Sequence, residues 1–210
     1  MNEKIRTFDT EAATWDEKPR RMKLVADIFT TIQKNVVLHD KMDVLDFGCG
    51  TGVLAMHMLP LVGSITGVDT SRGMLNVFEE KVAKKGLDTI KTVLISPDGY
   101  ESIQGQYDLI VSTMTLHHIE RIAPLLEHFR DILVPGGCLA IADLDLDDGV
   151  FHSKEEDVFH DGFDREDLCK VFEEAGFENL QQATAAETTK TASNGEMRRF
   201  SLFLITGSRP

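Results

Sequence analysis

The chain has 210 residues, 42% hydrophobic and 27% charged, which is an ordinary composition for one globular domain. Its formal net charge of −13, from 35 acidic and 22 basic residues, argues against a nucleic-acid partner because phosphate binding depends on clustered Lys and Arg. The first residues lack the apolar segment of a secretory signal, and no apolar run approaches the ~18 residues of a membrane span, so we expect a cytoplasmic protein without a membrane partner.

The predicted elements alternate between helices and strands. An N-terminal arm of residues 1–19 leads into an amphipathic helix from Arg20 to Val37. Further helices are predicted at 51–59, 71–85, 121–132 and 164–175, and strands at 43–47, 64–68, 91–95, 107–112, 136–143, 177–186 and 198–206. The alternation predicts a parallel sheet with helices on both faces. The last two strands, on either side of a polar loop from Glu187 to Glu196, predict an antiparallel hairpin.

A glycine-rich turn follows the first predicted strand. Residues 44–47 are typical of a buried strand, and Gly48, Gly50 and Gly52 then form a turn whose backbone can approach a ligand without interference from Cβ atoms. The N–H groups at the start of the next helix can receive a carboxylate or phosphate. Asp69 ends the second strand, close to the spacing of about 20 residues at which an acid binds ribose hydroxyls. Together the turn and the acid predict a nucleoside-cofactor site.

The glycine spacing distinguishes between cofactors. A dinucleotide fingerprint requires a third glycine three positions after the second, and Val53 occupies that position. The run Gly48-x-Gly50-x-Gly52, with Asp46 two residues ahead, instead resembles class I S-adenosylmethionine-dependent methyltransferases. Four further segments within residues 40–145 carry the resemblance: Asp69 to Leu75, Tyr107 to Ser112, Leu116 to Ile119 and Leu133 to Gly137. They are most similar to the small-molecule subgroup that contains ubiquinone and menaquinone biosynthesis methyltransferases.

The resemblance implies a fold, a cofactor and a set of site residues. The fold is a single Rossmann-like α/β domain over residues 1–210, whose seven-stranded, mostly parallel sheet has the order 3-2-1-4-5-7-6 with strand 7 antiparallel. The cofactor is S-adenosylmethionine, with its methionine part among Asp46, Gly48, Gly50 and Gly52. The other predicted cofactor-binding residues are Asp69 at the ribose, Met74 and Asp98 at the adenine, Ser112 beneath the sulfonium, and the neighbouring Thr70 and Gly99.

Three of these residues also have purely structural interpretations. Asp69 is placed to cap the helix that follows it, Met74 to pack in the core, and Asp98 to form an ordinary Pro-Asp-Gly turn. A helix cap and a ribose contact need not exclude each other at Asp69.

Histidines provide the candidate catalytic groups. Methyl transfer from a sulfonium is an in-line displacement, so a base is needed only where the acceptor holds a proton. The imidazoles near the expected acceptor are His117, His118, His152 and His160. His160, in the segment 151–163 that would roof the acceptor pocket, and His118 are the candidate catalytic residues. In relatives the Leu-His-His stretch commonly has a structural part, so a buried, hydrogen-bonded histidine is the alternative.

The N-terminal arm carries two aromatic residues, Phe8 and Trp15. They would either close over the cofactor or attach the arm to the core. Residues 1–38, the arm and its helix, are expected to cover the site.

An acidic run after the fifth predicted strand raises the question of a metal. Its members, which lie where some methyltransferases bind magnesium, are Asp143, Asp145, Asp147 and Asp148. Such enzymes also supply an acid from the end of the fourth strand, where Ser112 and Thr113 supply none. A solvated loop is therefore favoured and no metal is expected.

The sequence predicts methyl transfer from S-adenosylmethionine to a small organic acceptor, uncharged or cationic, at oxygen, nitrogen or carbon. One alternative is a catalytically inactive protein that binds S-adenosylmethionine or S-adenosylhomocysteine and acts through a partner. A second alternative is an NAD-dependent oxidoreductase, which Val53 and Asp46 argue against.

Overall fold

The structure is a computed structural model that describes residues 8–152 and 158–210. The first seven residues of the predicted arm and residues 153–157 of the predicted roof segment lie outside the described residues. Within the described part, no helix is long and apolar enough to cross a membrane.

Seven strands and the helices that connect them build most of the described chain. The helices are α1 (Pro19–Asn35), α2 (Val53–Met58), α3 (Arg72–Lys85), α4 (Ile122–Ile132) and α5 (Arg165–Glu174). The strands are β1 (Asp43–Phe47), β2 (Ser64–Asp69), β3 (Ile90–Leu94), β4 (Tyr107–Thr113), β5 (Leu133–Leu144), β6 (Glu178–Thr191) and β7 (Met197–Ser208). Short helical turns span Ala12–Glu17 and Leu116–His118.

The strands form one sheet in the order β3-β2-β1-β4-β5-β7-β6. β1 to β5 pair in parallel, whereas β7 runs antiparallel to both β5 and β6. Predicted order and direction are both confirmed. The order places the carboxyl ends of β1, β2 and β4 at one edge, where ligands of open α/β sheets bind.

Helices cover both faces of the sheet, as the alternation predicts. On one face, α1, α2 and α3 contribute buried side chains such as Ile28, Met58 and Phe78. On the other face, α4 and α5 contribute Phe129 and Phe172. Both clusters lie against the apolar side chains of the central strands, so the sheet is buried between two cores.

Two predicted boundaries were wrong. The polar stretch 187–196 is mostly strand: β6 continues to Thr191, where it pairs with Met197, and only the turn between these two residues remains a loop. β6 lies at the edge of the sheet, where one side faces solvent, so its β-branched Thr residues can extend the hairpin without being apolar. β5 begins at Leu133 rather than Gly136, because the chain bulges past the glycines and still pairs with Tyr107.

The predicted helix 51–59 is also shorter in the structure. Gly52 has φ +76°, a left-handed conformation that no residue of a right-handed helix adopts, so α2 begins at Val53.

Candidate functional site

The glycine turn is fixed to the end of β2 by main-chain hydrogen bonds. The N–H groups of Gly48 and Cys49 donate to the carbonyl of Val68 at 2.8 and 3.0 Å. The N–H of Gly50 donates to the Asp69 carboxylate at 2.7 Å. The turn and the acid, which the sequence places at two separate points, are therefore in direct contact.

The three glycines of the turn have different surroundings. All have positive φ values, between +53° and +76°. A Cβ at Gly48 would lie 2.1 Å from Thr115, and one at Gly52 would lie 2.2 Å from the ring of Phe78, so these two glycines allow close packing. A Cβ at Gly50 would meet nothing within 4 Å. The open space that a ligand requires is therefore beside Gly50.

Asp46 is a buried acid without a donor. Its side chain is 1% exposed, and among the described residues neither carboxylate oxygen has a hydrogen-bond partner. Burial, and then the nearby Asp69 carboxylate, raise the pKa of Asp46 to about 7. Burying an ionised carboxylate costs free energy unless the carboxylate is paired. Asp46 therefore has the properties of a residue that binds a cationic ligand.

Asp69 has a structural role in the free protein. Its two oxygens accept the N–H groups of Gly50 at 2.7 Å and Ser71 at 2.8 Å. Burial raises its pKa, and these N–H donors oppose the rise. The N-cap of α3 is Ser71, whose hydroxyl accepts the Met74 N–H at 3.1 Å, and not Asp69 itself. Each Asp69 oxygen keeps acceptor capacity for a ribose hydroxyl.

The remaining predicted cofactor residues surround this centre. Met74 is buried on the first turn of α3, and Thr70 is half-buried beside Asp69. Asp98 is exposed in a turn closed by the Gly99 N–H, which donates to the Ser96 carbonyl at 2.9 Å.

Ser112 lies at the carboxyl end of β4, next to β1. It is buried, and its hydroxyl donates to the Phe47 carbonyl at 2.9 Å, which joins the two strands. The sequence pattern indicates its location but not this hydrogen bond.

The histidines form a cluster beyond β4. The ring centroid of His117 lies 4.2 Å from that of His118 and 4.6 Å from that of His152. His118 is half-buried, and its ring meets Phe8 of the arm edge-on at 5.5 Å. His160 does not join this stack: its Nε2 lies 2.9 Å from the Ile119 carbonyl, to which it donates. His160 therefore ties the roof segment to the loop after β4.

Two members of the acidic run are paired with basic side chains, whereas Asp148 is exposed. Asp143 is the penultimate residue of β5, is 0% exposed and binds His117. Asp145 forms a two-bond ion pair with Arg165, at 2.6 and 2.7 Å. The prediction of a solvated loop was wrong for Asp143, because this residue of β5 is buried against His117. Within the described residues, no group of three or more His, Cys, Asp or Glu is placed to hold a metal ion.

The pairing of Asp143 with His117 was not among the predicted contacts. The strand order supplies a signal for it, because β4 and β5 are neighbours, His117 follows β4, and Asp143 lies at the carboxyl end of β5. A His after one strand and an Asp at the end of the next are brought together by that order.

The arm makes polar contacts with both cofactor loops. Asp9 accepts the Ser71 hydroxyl and the Gly73 N–H, the latter at 2.7 Å. Asp16 accepts the Thr51 hydroxyl at 2.6 Å and forms an ion pair with Lys81.

The aromatic residues of the arm pack on each other and on a neighbouring cation. The ring centroids of Phe8 and Trp15 are 5.9 Å apart, and the Arg21 guanidinium lies 3.5 Å from the centre of the Trp15 ring. The described part of the arm thus lies over the turn, the start of α3 and His118.

Comparisons with known proteins agree with this geometry. The methyltransferase domain family matches residues 17–182. An uncharacterized methyltransferase of Schizosaccharomyces pombe is 26% identical over 194 residues, which cover 85% of this chain and 68% of that protein.

Solved structures share the fold. A methyltransferase of Haloferax volcanii, in complex with the Trm112 methyltransferase activator, matches with a TM-score of 0.76 at 19% identity over 97% of both chains. Phosphoethanolamine N-methyltransferase 2 of Haemonchus contortus, in complex with S-adenosyl-L-methionine, matches with a TM-score of 0.67 at 17% identity. That match covers 87% of this chain and 52% of the nematode protein.

Proposed function

This chain belongs to the methyltransferase domain family and uses S-adenosylmethionine, and from that premise we propose that it transfers the methyl group by in-line displacement to a small-molecule acceptor. When bound, the cofactor supplies a methyl group on a positively charged sulfur. The protein therefore has to hold the cofactor, align an acceptor and exclude water.

The observation that carries the placement of the cofactor is Asp46. A buried carboxylate with no donor among the described residues fits an ammonium group, which the methionine part of the cofactor has. The open space at Gly50 lies four residues further along the chain, in the glycine turn. Asp69 would bind the ribose hydroxyls with the acceptor capacity that its two N–H donors leave.

The rest of the nucleoside pocket follows from the same arrangement. We place the adenine beside Met74, Asp98 and Gly99, with Thr70 next to the ribose and Ser112 below the sulfur. The Ile95 N–H donates to the Asp69 carbonyl at 3.1 Å. This hydrogen bond supports the placement, because the loop that carries Asp98 then begins next to Asp69.

We also propose that the arm and α1 cover the bound cofactor. Asp9 holds the start of α3, and Asp16 holds Thr51 of the glycine turn, so the arm bridges the two loops that would enclose the nucleoside and the methionine part. Closure by these contacts would exclude water from the site.

A small acceptor fits the acceptor side best. The chain is strongly acidic, which disfavours nucleic acid, and the described parts of the arm and of the roof segment contact His118 and His117 after β4. His118 is half-buried between His117 and the arm, and His160 is half-buried in the roof. They are the proposed acid–base residues for an acceptor that must lose a proton.

Thermal unfolding with added ligands tests the cofactor pocket. S-adenosylmethionine or S-adenosylhomocysteine at a hundred times its dissociation constant should add about 2.7 kcal/mol to the free energy of unfolding. NAD at the same concentration serves as the control and should add nothing. A response to NAD alone would contradict the assignment.

Labelling tests the class of acceptor. The protein and methyl-labelled S-adenosylmethionine are incubated together with one fraction of a cell extract in each reaction. The three fractions contain metabolites, RNA and protein. We expect label in the metabolite fraction, and none with Asp46→Asn. Label confined to RNA or protein would overturn the small-molecule proposal while leaving the cofactor pocket intact.

A further inference from the structure

A buried acid–imidazole pair lies on the acceptor side of the sheet, and the cofactor pocket does not use it. Asp143 is the penultimate residue of β5 and is 0% exposed; His117 follows β4 and is 1% exposed. The His117 Nδ1 and an Asp143 oxygen are 2.6 Å apart. Asp143 also accepts the N–H groups of Leu144 at 2.7 Å and of His117 itself at 3.3 Å.

These contacts define the ionisation of Asp143 and the orientation of the His117 ring. Burial alone would raise the pKa of Asp143, but the charge interaction and hydrogen bond with His117 and the two backbone N–H groups outweigh burial, so the pKa lies below its usual value. Asp143 is therefore an ionised acceptor. A carboxylate accepts only, so the His117 ring donates to it from Nδ1 and is held in one orientation.

The ring of His117 contacts two other imidazoles, and its main chain contacts the segment that carries His160. Its ring packs against those of His118 and His152 at 4.2 and 4.6 Å between centroids. Its carbonyl accepts the N–H groups of Phe159 at 2.9 Å and His160 at 3.3 Å. The roof segment is thus attached to the sheet at the main chain of a residue whose side chain is held by Asp143.

We propose that His117 and Asp143 form a positioning pair that orients His118 and the roof residues Phe159 and His160 towards the acceptor. The proposal rests on the methyl transfer proposed above. The pair acts through the hydrogen bond between its side chains, not through the volume of the ring. It does not contact the residues around Asp46 and Gly50, so cofactor affinity is independent of it.

Two substitutions of one residue separate a hydrogen-bond role from a packing role. In His117→Asn the side-chain amide can still donate to Asp143 from the position of Nδ1. In His117→Phe the ring volume is retained, but Asp143 is left buried without that donor. If the hydrogen bond positions the roof segment, residues Phe159 and His160 stay ordered in the Asn variant and become less ordered in the Phe variant. If packing of the ring positions the segment, the two variants behave the other way round.

Amide hydrogen exchange measures the roof directly and needs no acceptor. In the protein saturated with S-adenosylhomocysteine, exchange at Phe159 and His160 should accelerate by about tenfold or more in His117→Phe and stay within about threefold in His117→Asn. His128, on α4 with its Nε2 against the Ile103 carbonyl, provides the matched control. The same two substitutions there should leave both amides unchanged.

A spectrum of the unsubstituted protein gives an independent test, should the Phe variant fail to fold. Nitrogen-15 spectra of the histidine rings should show His117 protonated on Nδ1. A proton on Nε2 alone, or stronger roof protection in the Phe than in the Asn variant, would overturn the proposal.

Cofactor affinity, measured by calorimetry with S-adenosylhomocysteine, distinguishes this inference from the proposed function. Both His117 variants should bind it within about twofold of the unsubstituted protein, because the pair lies on the acceptor side. Loss of binding in the Asn variant would move the pair to the cofactor pocket and refute its acceptor-side role. Failure of the unsubstituted protein to bind would instead refute the proposed function, and the spectrum would still decide the state of the pair.

Discussion

The raised pKa of Asp46 predicts that cofactor affinity depends on pH. In the free protein, burial and the neighbouring Asp69 hold the pKa of Asp46 at about 7. An ammonium group pairs with the ionised carboxylate only, so binding at lower pH requires Asp46 to release its proton. Affinity should rise with pH up to the pKa and then level off.

The size of the effect follows from the fraction of Asp46 that is ionised. With a pKa of about 7, that fraction is about three quarters at pH 7.5 and about 3% at pH 5.5. Affinity should therefore fall about 25-fold between these two values, which corresponds to about 1.9 kcal/mol. The upper limit is set at 7.5 because the α-amino group of the ligand itself begins to lose its proton near 7.7–8.0.

The stability of the free protein should change with pH in the opposite direction to the cofactor affinity. Because the folded pKa lies above the unfolded value of 3.8, the folded chain keeps a proton that the unfolded chain releases. The contribution of Asp46 to the free energy of unfolding is complete below pH ~4 and is lost as pH rises to about 7.

Titration calorimetry with S-adenosylhomocysteine measures the pH effect on binding. At pH 6, runs in two buffers of different ionisation enthalpy should reveal the release of about 0.9 proton per ligand bound. Asp46→Asn is the control, which should bind weakly and without this pH dependence. A dissociation constant that changes less than twofold between pH 5.5 and 7.5, with no proton released, would refute the pairing of Asp46 with the ammonium.

Three further substitutions test the rest of the site. Asp69→Ala should weaken cofactor binding by about 1.5–3 kcal/mol in calorimetry, because charge-assisted bonds to the ribose are lost, and unchanged affinity in a folded variant would place the ribose elsewhere. Asp16→Ala should release the arm from the glycine turn and raise the cofactor dissociation rate several-fold in stopped-flow measurements. The control Glu17→Ala, at the neighbouring position, should leave this rate unchanged. Equal rates in the two variants would argue against an arm that covers the cofactor. Phe78→Ala should lower the free energy of unfolding in urea by about 3–5 kcal/mol, because this 0% exposed ring fills the space between α3 and the turn, and a loss under 1 kcal/mol would contradict that packing.

The sequence predicted the fold well because its elements follow local rules. Apolar runs of strand length alternate with amphipathic helices, and the N-cap of α5 is Asp164, whose side chain accepts two N–H groups of the first turn. The errors arose where tertiary pairing overrode local signals. Residues 187–191 are polar, yet they extend β6 because β7 offers a complete row of partners. Leu133 joins β5 through its pairing with Tyr107, a long-range contact that no local pattern indicates.

The cofactor pocket and the acceptor side differ in how far a sequence can reveal them. The turn is built from backbone with positive φ, which only glycine adopts at low cost, so its geometry leaves a readable spacing at Gly48, Gly50 and Gly52. The acceptor side is built from side chains of separate segments, among them the loop after β4, the end of β5 and the roof. The contact of His117 with Asp143 depends on β4 and β5 being neighbours, which is a property of the sheet order and not of either segment alone. Specificity on the acceptor side can therefore change with single side chains, while the spacing that identifies the cofactor pocket stays the same.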